Sequence, residues 1–139
     1  MLDFKAVFED ITKGNQSALH FCQTFLHFVH MVDDLVDRDI QVPADAVSGI
    51  CFNLMSMLAT NEFFQEYKSV LLPTIMVSSQ AWACSERFKK RDNLLDKVAA
   101  QVLKSEYQNV FLQVAYICGG QAHFIEMAQK YREFNYDKE

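Results

Sequence analysis

The chain has 139 residues, enough for one domain with a real core, and 50% of them are hydrophobic, which excludes a disordered chain. Its net charge of −5 argues against nucleic acid as the main partner, and the basic run Arg87, Lys89, Lys90, Arg91 is short and interleaved with acids. Two prolines and four glycines leave little turn punctuation, so helix is favoured, and twelve Phe point to an aromatic-rich interior.

Cys22, Cys51, Cys84 and Cys118 form no CxxC pair, and each has apolar neighbours. All four are expected as buried, reduced thiols. The opening MLDFKAVFED carries acids where a secretory signal needs a basic and then an apolar run. No apolar run reaches the roughly 20 residues of a membrane span. The expectation is a soluble, cytoplasmic protein.

The first helix is predicted over residues 3 to 12, with Phe4, Val7, Phe8 and Ile11 at helical spacing behind an Asp3 cap. Gly14 and Asn15 break it. A long second helix runs from about Ser17 to Asp39. Pro43 suits the first turn of a third, whose stripe is Val47, Ile50, Cys51, Leu54, Met55 and Leu58. Thr60 or Asn61 caps a short fourth, with Phe63, Phe64, Tyr67, Val70 and Leu71. Pro73 restarts the chain into a fifth, with Val77, Ala81, Cys84 and Phe88 inward. Asp92 or Asn93 caps a sixth, with Asp96 placed as in a capping box. Gly119 and Gly120 end that helix, and Phe124, Met127, Ala128 and Tyr131 mark a seventh. No segment alternates with period two. The pattern predicts an all-α single domain, a bundle of six to seven helices, with a frayed tail from about residue 135.

The second helix holds the unusual chemistry, in HFVHMVDDLVDRD at positions 27 to 39. On a helical wheel His20, Gln23, His27, His30, Asp34, Asp37 and Gln41 share a wedge of about 100°, with Asp33 at its flank. Asp33 and Asp37 are four apart, and Asp34 and Asp37 three apart, so they are surface neighbours that repel. They also lie near the helix C-terminus, where the dipole disfavours anions. A bound Mg²⁺ reverses the sign of that cost, because it takes carboxylate oxygens and keeps waters for phosphate ligands. An ordinary solvent face carries Lys, Glu and Arg, yet none occurs from residue 17 to 37. That composition predicts an enclosed polar cleft. The plainer alternative is a polar face with local hydrogen bonds.

DDLVD resembles the DDxxD motif of the class I isoprenoid (terpenoid) synthase fold. MVDDLVD is similar to the first aspartate-rich motif of the squalene and phytoene synthase branch, and to that of trans-prenyltransferases. The resemblance implies an isoprenoid-synthase-like bundle in which Asp33, Asp34 and Asp37 bind Mg²⁺ and the ion grips the diphosphate of an allylic substrate. His27 and His30 have no family counterpart; further along the wedge, they would line the cavity or orient the carboxylates. The resemblance also implies a second acidic motif. RDNLLD, with Asp92, Asn93 and Asp96, resembles it loosely, and a helix cap is the competing reading. Lys89, Lys90 and Arg91 would supply diphosphate contacts. The chain departs from the family in its length and in lacking a basic pair after DDLVD, where only Arg38 is near. It therefore resembles either a transferase that completes its cavity as a homodimer or a reduced relative that keeps the fold without the activity.

Other constellations are weaker. His123 and Glu126 resemble half of a carboxylate-bridged di-iron site, but the partner Glu-x-x-His repeat is absent. Glu62 and Glu66 are the nearest approach to the acids of an all-α metal-dependent nucleotide pyrophosphohydrolase. The main expectation is Mg²⁺-dependent binding of a diphosphate-bearing small molecule, with its ionisation or transfer as the further step. The rival is a non-enzymatic helical protein that binds a partner protein.

Overall fold

The computed structural model describes the backbone of residues 3–37 and 41–136, with side chains through residue 132. Those residues are helical or in connections, with no strand among them. None of the helices is long and apolar enough to cross a membrane. The chain divides into two compact units, Met1–Tyr67 and Lys68–Glu139.

In the first unit, α1 (Phe4–Thr12) begins where the Asp3 side chain accepts from Lys5 N at 3.0 Å. It stops at Lys13 and Gly14, with φ of 49° and 83°, the left-handed turn that ends many helices. Asn15 then caps α2 (Gln16–Asp37) by accepting from Ala18 N at 3.1 Å. α3 (Ala44–Thr60) starts one residue later than expected, because Pro43 is its extended N-cap (φ −61°, ψ 149°) and not its first helical residue. Asn61 opens α4 (Glu62–Lys89). Its Oδ1 accepts from Phe64 N at 2.8 Å, and its Nδ2 donates to Ser17 O at 2.8 Å, tying the start of α4 to the start of α2. Phe21 lies at the centre of the core. Its ring stacks on Phe25 and Phe64 at centroid distances of 5.9 and 5.7 Å, with Phe63 at 6.2 Å. Phe8, Ile11, Cys22, Leu26 and Met57 complete this interior.

The second unit departs more from expectation. Pro73 does not restart the chain: α4 is helical from Glu62 to Lys89 with Pro73 inside it. An exposed proline there costs a hydrogen bond and crowds the preceding turn, but does not by itself stop a helix held elsewhere by packing. The buried face is also rotated from the one predicted. Val77 is 64% exposed and Cys84 is exposed, while Leu71, Ser78 and Ser85, at intervals of seven, are buried. The serines are tolerated inside because each hydroxyl reaches a main-chain carbonyl. Ser78 Oγ donates to Thr74 O at 2.7 Å, with Glu106 O at 3.2 Å, and Ser85 Oγ donates to Trp82 O at 2.6 Å.

α5 (Leu94–Lys104) is capped by Asn93, which accepts from Leu95 N at 2.8 Å. A single 3₁₀ turn at Ser105–Tyr107 separates it from α6 (Gln108–Tyr136), so the sixth predicted helix is divided. The break expected at Gly119–Gly120 is a reversal inside α6. Gly120 has φ 82° and ψ −170°, far from helical values. Phe111 and Tyr131 would stand about 30 Å apart in a straight helix, yet their ring centroids are 6.0 Å apart. Tyr116 and Phe124 meet likewise at 6.1 Å. The arms 108–119 and 121–136 are therefore antiparallel, and Val110, Phe111, Val114, Met127 and Tyr131 are buried in this unit. The expected helix count rested on breaks at Pro73 and Gly119–Gly120; the first is absent, and the second is a turn-back. The tail predicted to fray from 135 is helical through Tyr136, and 137–139 lie outside the described residues.

Candidate functional site

Asp33, Asp34 and Asp37 lie in the last turns of α2, and all three are half-buried. One Asp33 oxygen, Oδ1, is out of contact with solvent. No basic residue sits in the last turn of α2. The carboxylates therefore lie at the negative end of the helix dipole, which disfavours anions. Leu35 and Val36, on the other side of the same turn, are 42% and 43% exposed. The end of α2 is thus less covered than its middle, where Phe21, Cys22, Phe25 and Leu26 are buried.

The enclosed polar cleft predicted around the histidines is not what surrounds them. His20, His27 and His30 are exposed, and only Gln23, Asp34 and Asp37 of the wedge are half-buried. His30 has a definite neighbour, the Phe4 ring of α1, in an edge-on contact at 5.7 Å. That contact holds α1 against α2 and gives His30 a packing role. Arg38 lies outside the described residues.

The proposed second motif belongs to the other unit. Asp92 is exposed and precedes the cap of α5. Asp96 is half-buried, and its Oδ1 lies 4.0 Å from Arg91 Nη1. Arg91 also lies over the Phe88 ring, 4.8 Å from its centroid. RDNLLD is thus a helix start, with Asn93 as cap and Asp96 facing Arg91. Lys89, Lys90 and Arg91 are exposed at the junction of α4 and α5.

Among the described residues no three His, Cys, Asp or Glu side chains are grouped as a ligand set. Mg²⁺ does not require one, since it is usually held through one or two carboxylates plus water and substrate phosphates. Asp33 and Asp37, four residues apart on one face, fit that smaller requirement. Glu62 and Glu66 are both exposed in the first turns of α4. Glu126 is exposed, and His123 packs over Gly119 at the α6 reversal. None of the four cysteines is in a disulfide, and the expectation of four buried thiols holds fully only for Cys22: Cys51 and Cys118 are half-buried and Cys84 is exposed. No protein-family profile, curated protein or solved structure matches this chain.

Proposed function

We propose that the last turns of α2 bind Mg²⁺, and through it the diphosphate of a small molecule, with Asp33 and Asp37 as carboxylate ligands and Asp34 beside them. One observation carries this reading: three half-buried aspartates gather at the negative end of a 22-residue helix. At that position the helix dipole and mutual repulsion both disfavour carboxylates, and a bound cation offsets both. The isoprenoid-synthase-like motif supplies the chemical class of the ligand. Bound there, Mg²⁺ would stabilise charge on a departing diphosphate, and ionisation or transfer is the further step this reading allows. The chain's own contribution is to hold the cation and leave its outer positions for phosphate oxygens. Asp96 faces Arg91, so the reading rests on the α2 aspartates alone.

The test is thermal unfolding with Mg²⁺, then with Mg²⁺ and pyrophosphate. A ligand at a hundredfold excess over its Kd adds about 2.7 kcal/mol to the folded state. Mg²⁺ should raise the melting temperature, and pyrophosphate should raise it further only when Mg²⁺ is present.

A second reading, a helical protein that binds a partner protein, is favoured by a different observation. Phe52 and Met55 on α3 are both 64% exposed, and Met76 and Val77 on α4 are 65% and 64% exposed. Each helix by itself thus shows neighbouring large apolar side chains to solvent, and exposed apolar surface of that kind marks interaction sites. The same titration separates the readings. No response to metal or pyrophosphate, with an Asp33→Asn, Asp37→Asn chain less stable than the parent, selects partner binding.

A further inference from the structure

α5 is turned the wrong way for an ordinary surface helix. Its buried residue is Ala100, with Asp96, Ala99, Leu103 and Lys104 half-buried, while Leu94, Leu95, Val98 and Val102 are 75%, 76%, 48% and 56% exposed. Those four lie within about 100° of the helix circumference, so they form one aliphatic stripe. Surface helices of globular proteins present the reverse arrangement, with the apolar stripe inward.

The charge around the stripe is equally out of place. Residues 87–104 hold six Lys or Arg against two Asp, a net +4, which leaves −9 for the rest of a chain whose total is −5. Arg87, Lys89, Lys90, Arg91 and Lys97 are all exposed. Lys97 borders the stripe on α5 itself, and the others precede its N-terminal end in the chain, Arg91 among them facing Asp96 Oδ1 at 4.0 Å. A basic cluster in an acidic protein selects an anionic partner, and an exposed aliphatic stripe beside it selects one with an apolar layer under the charge.

We propose that α5 and the Lys89–Arg91 turn form a peripheral docking surface for an anionic lipid bilayer, with the helix lying in the interface plane. Interfacial helices combine these two features: an apolar face that enters the acyl boundary and cations that stay at the headgroups. The composition speaks for lipid over protein. Protein interfaces draw their binding energy from Trp, Tyr and Arg and are poor in Lys at the core, whereas this stripe is purely Leu and Val, with Lys97 along its edge. The proposal is independent of the α2 site, since it uses other residues and needs no metal.

The test is co-sedimentation of the full chain with phosphatidylcholine vesicles, with and without phosphatidylserine. The chain should partition at least about tenfold more strongly onto the phosphatidylserine vesicles. Raising NaCl from about 0.1 M to about 1 M, which shortens the screening length from about 10 Å to about 3 Å, should remove most of that preference. Lys90→Ala with Lys97→Ala should lower partition by about fivefold per cation removed. Leu94→Gln with Leu95→Gln should lower it at least about tenfold, with the helical circular dichroism unchanged because both side chains already face solvent. Equal binding to both vesicle types would overturn the proposal, as would leucine and lysine variants that bind like the parent. So would a chain that ignores vesicles but dimerises, with Leu94→Gln and Leu95→Gln making it monomeric; the stripe would then be a protein interface.

Discussion

A methyl group added at Gly119 would overlap the His123 side chain, lying 2.6 Å from His123 Cβ and closer still to the ring. At Gly120 there is open space, but φ is 82° with ψ −170°, a region essentially confined to glycine. The two adjacent glycines are thus required for different reasons, steric at one and conformational at the other. Gly119→Ala and Gly120→Ala should each lower stability by about 1–3 kcal/mol in urea denaturation. A variant as stable as the parent would show that the reversal tolerates a side chain. Cys118, just before this turn, has its thiol pushed above the ordinary value of 9.0 by burial. As pH rises, the unfolded thiol ionises first, which favours the unfolded chain. The contribution of this group is therefore complete below pH 9.0 and is lost above it, as pH climbs through the folded value. Exposed Cys84 should react first with a thiol reagent and buried Cys22 last, with stability falling above pH 9; labelling in the reverse order would contradict the burial described.

At the scale of the element, helix starts were the most legible feature. Asp3, Asn61 and Asn93 each cap the helix expected to begin there, because a short polar side chain can satisfy the first free N–H groups locally. Stops and facing were less legible. By sequence Pro73 marks a break, yet α4 continues through it, since tertiary packing decides whether a helix tolerates the loss. Pro73→Ala should restore an N–H to the Ser69 carbonyl and raise stability by about 1–3 kcal/mol, seen as a higher urea midpoint; an unchanged midpoint would mean α4 is not helical there in solution. Hydropathy also points to a different inward face of α4, because it hides Ser78 and Ser85, whose hydroxyls are satisfied on main-chain carbonyls. On α2 the position of the three aspartates was legible and their surroundings were not. Composition suggested an enclosed wedge, while His27 and His30 are exposed. Asp33→Asn with Asp37→Asn should add about 0.3–1 kcal/mol in metal-free buffer, by removing repulsion and the unfavourable dipole term. The same variant should lose the Mg²⁺-induced rise in melting temperature. A less stable variant in metal-free buffer would make the aspartates structural.

At the scale of the whole molecule, twelve Phe announced an aromatic interior without saying which rings form it. Phe8, Phe21 and Phe111 are fully buried, whereas Phe52 is 64% exposed. A count of side chains carries no information about facing; of the stripe expected on α3, Val47, Ile50, Cys51, Leu54 and Leu58 are half-buried, while Met55 is 64% exposed and Met57 is the buried residue. The division into two compact units was not legible either, because its boundary at Tyr67–Lys68 falls inside α4, where no linker composition marks it. The boundary has a thermodynamic consequence. Phe21 belongs to the first unit and Phe111 to the second, and truncating a buried Phe to Ala costs about 3–5 kcal/mol, a large share of a domain's total stability. Trp82, the single tryptophan, lies in the second unit and reports on it alone by fluorescence, while far-UV circular dichroism reports on both. Phe21→Ala should therefore lower part of the circular dichroism transition and leave the Trp82 transition in place, and Phe111→Ala should lower the Trp82 transition. Phe52→Ala should move neither by more than about 0.5 kcal/mol. If Phe21→Ala shifts both probes together, the chain unfolds as one cooperative body, and the boundary inside α4 has no energetic meaning.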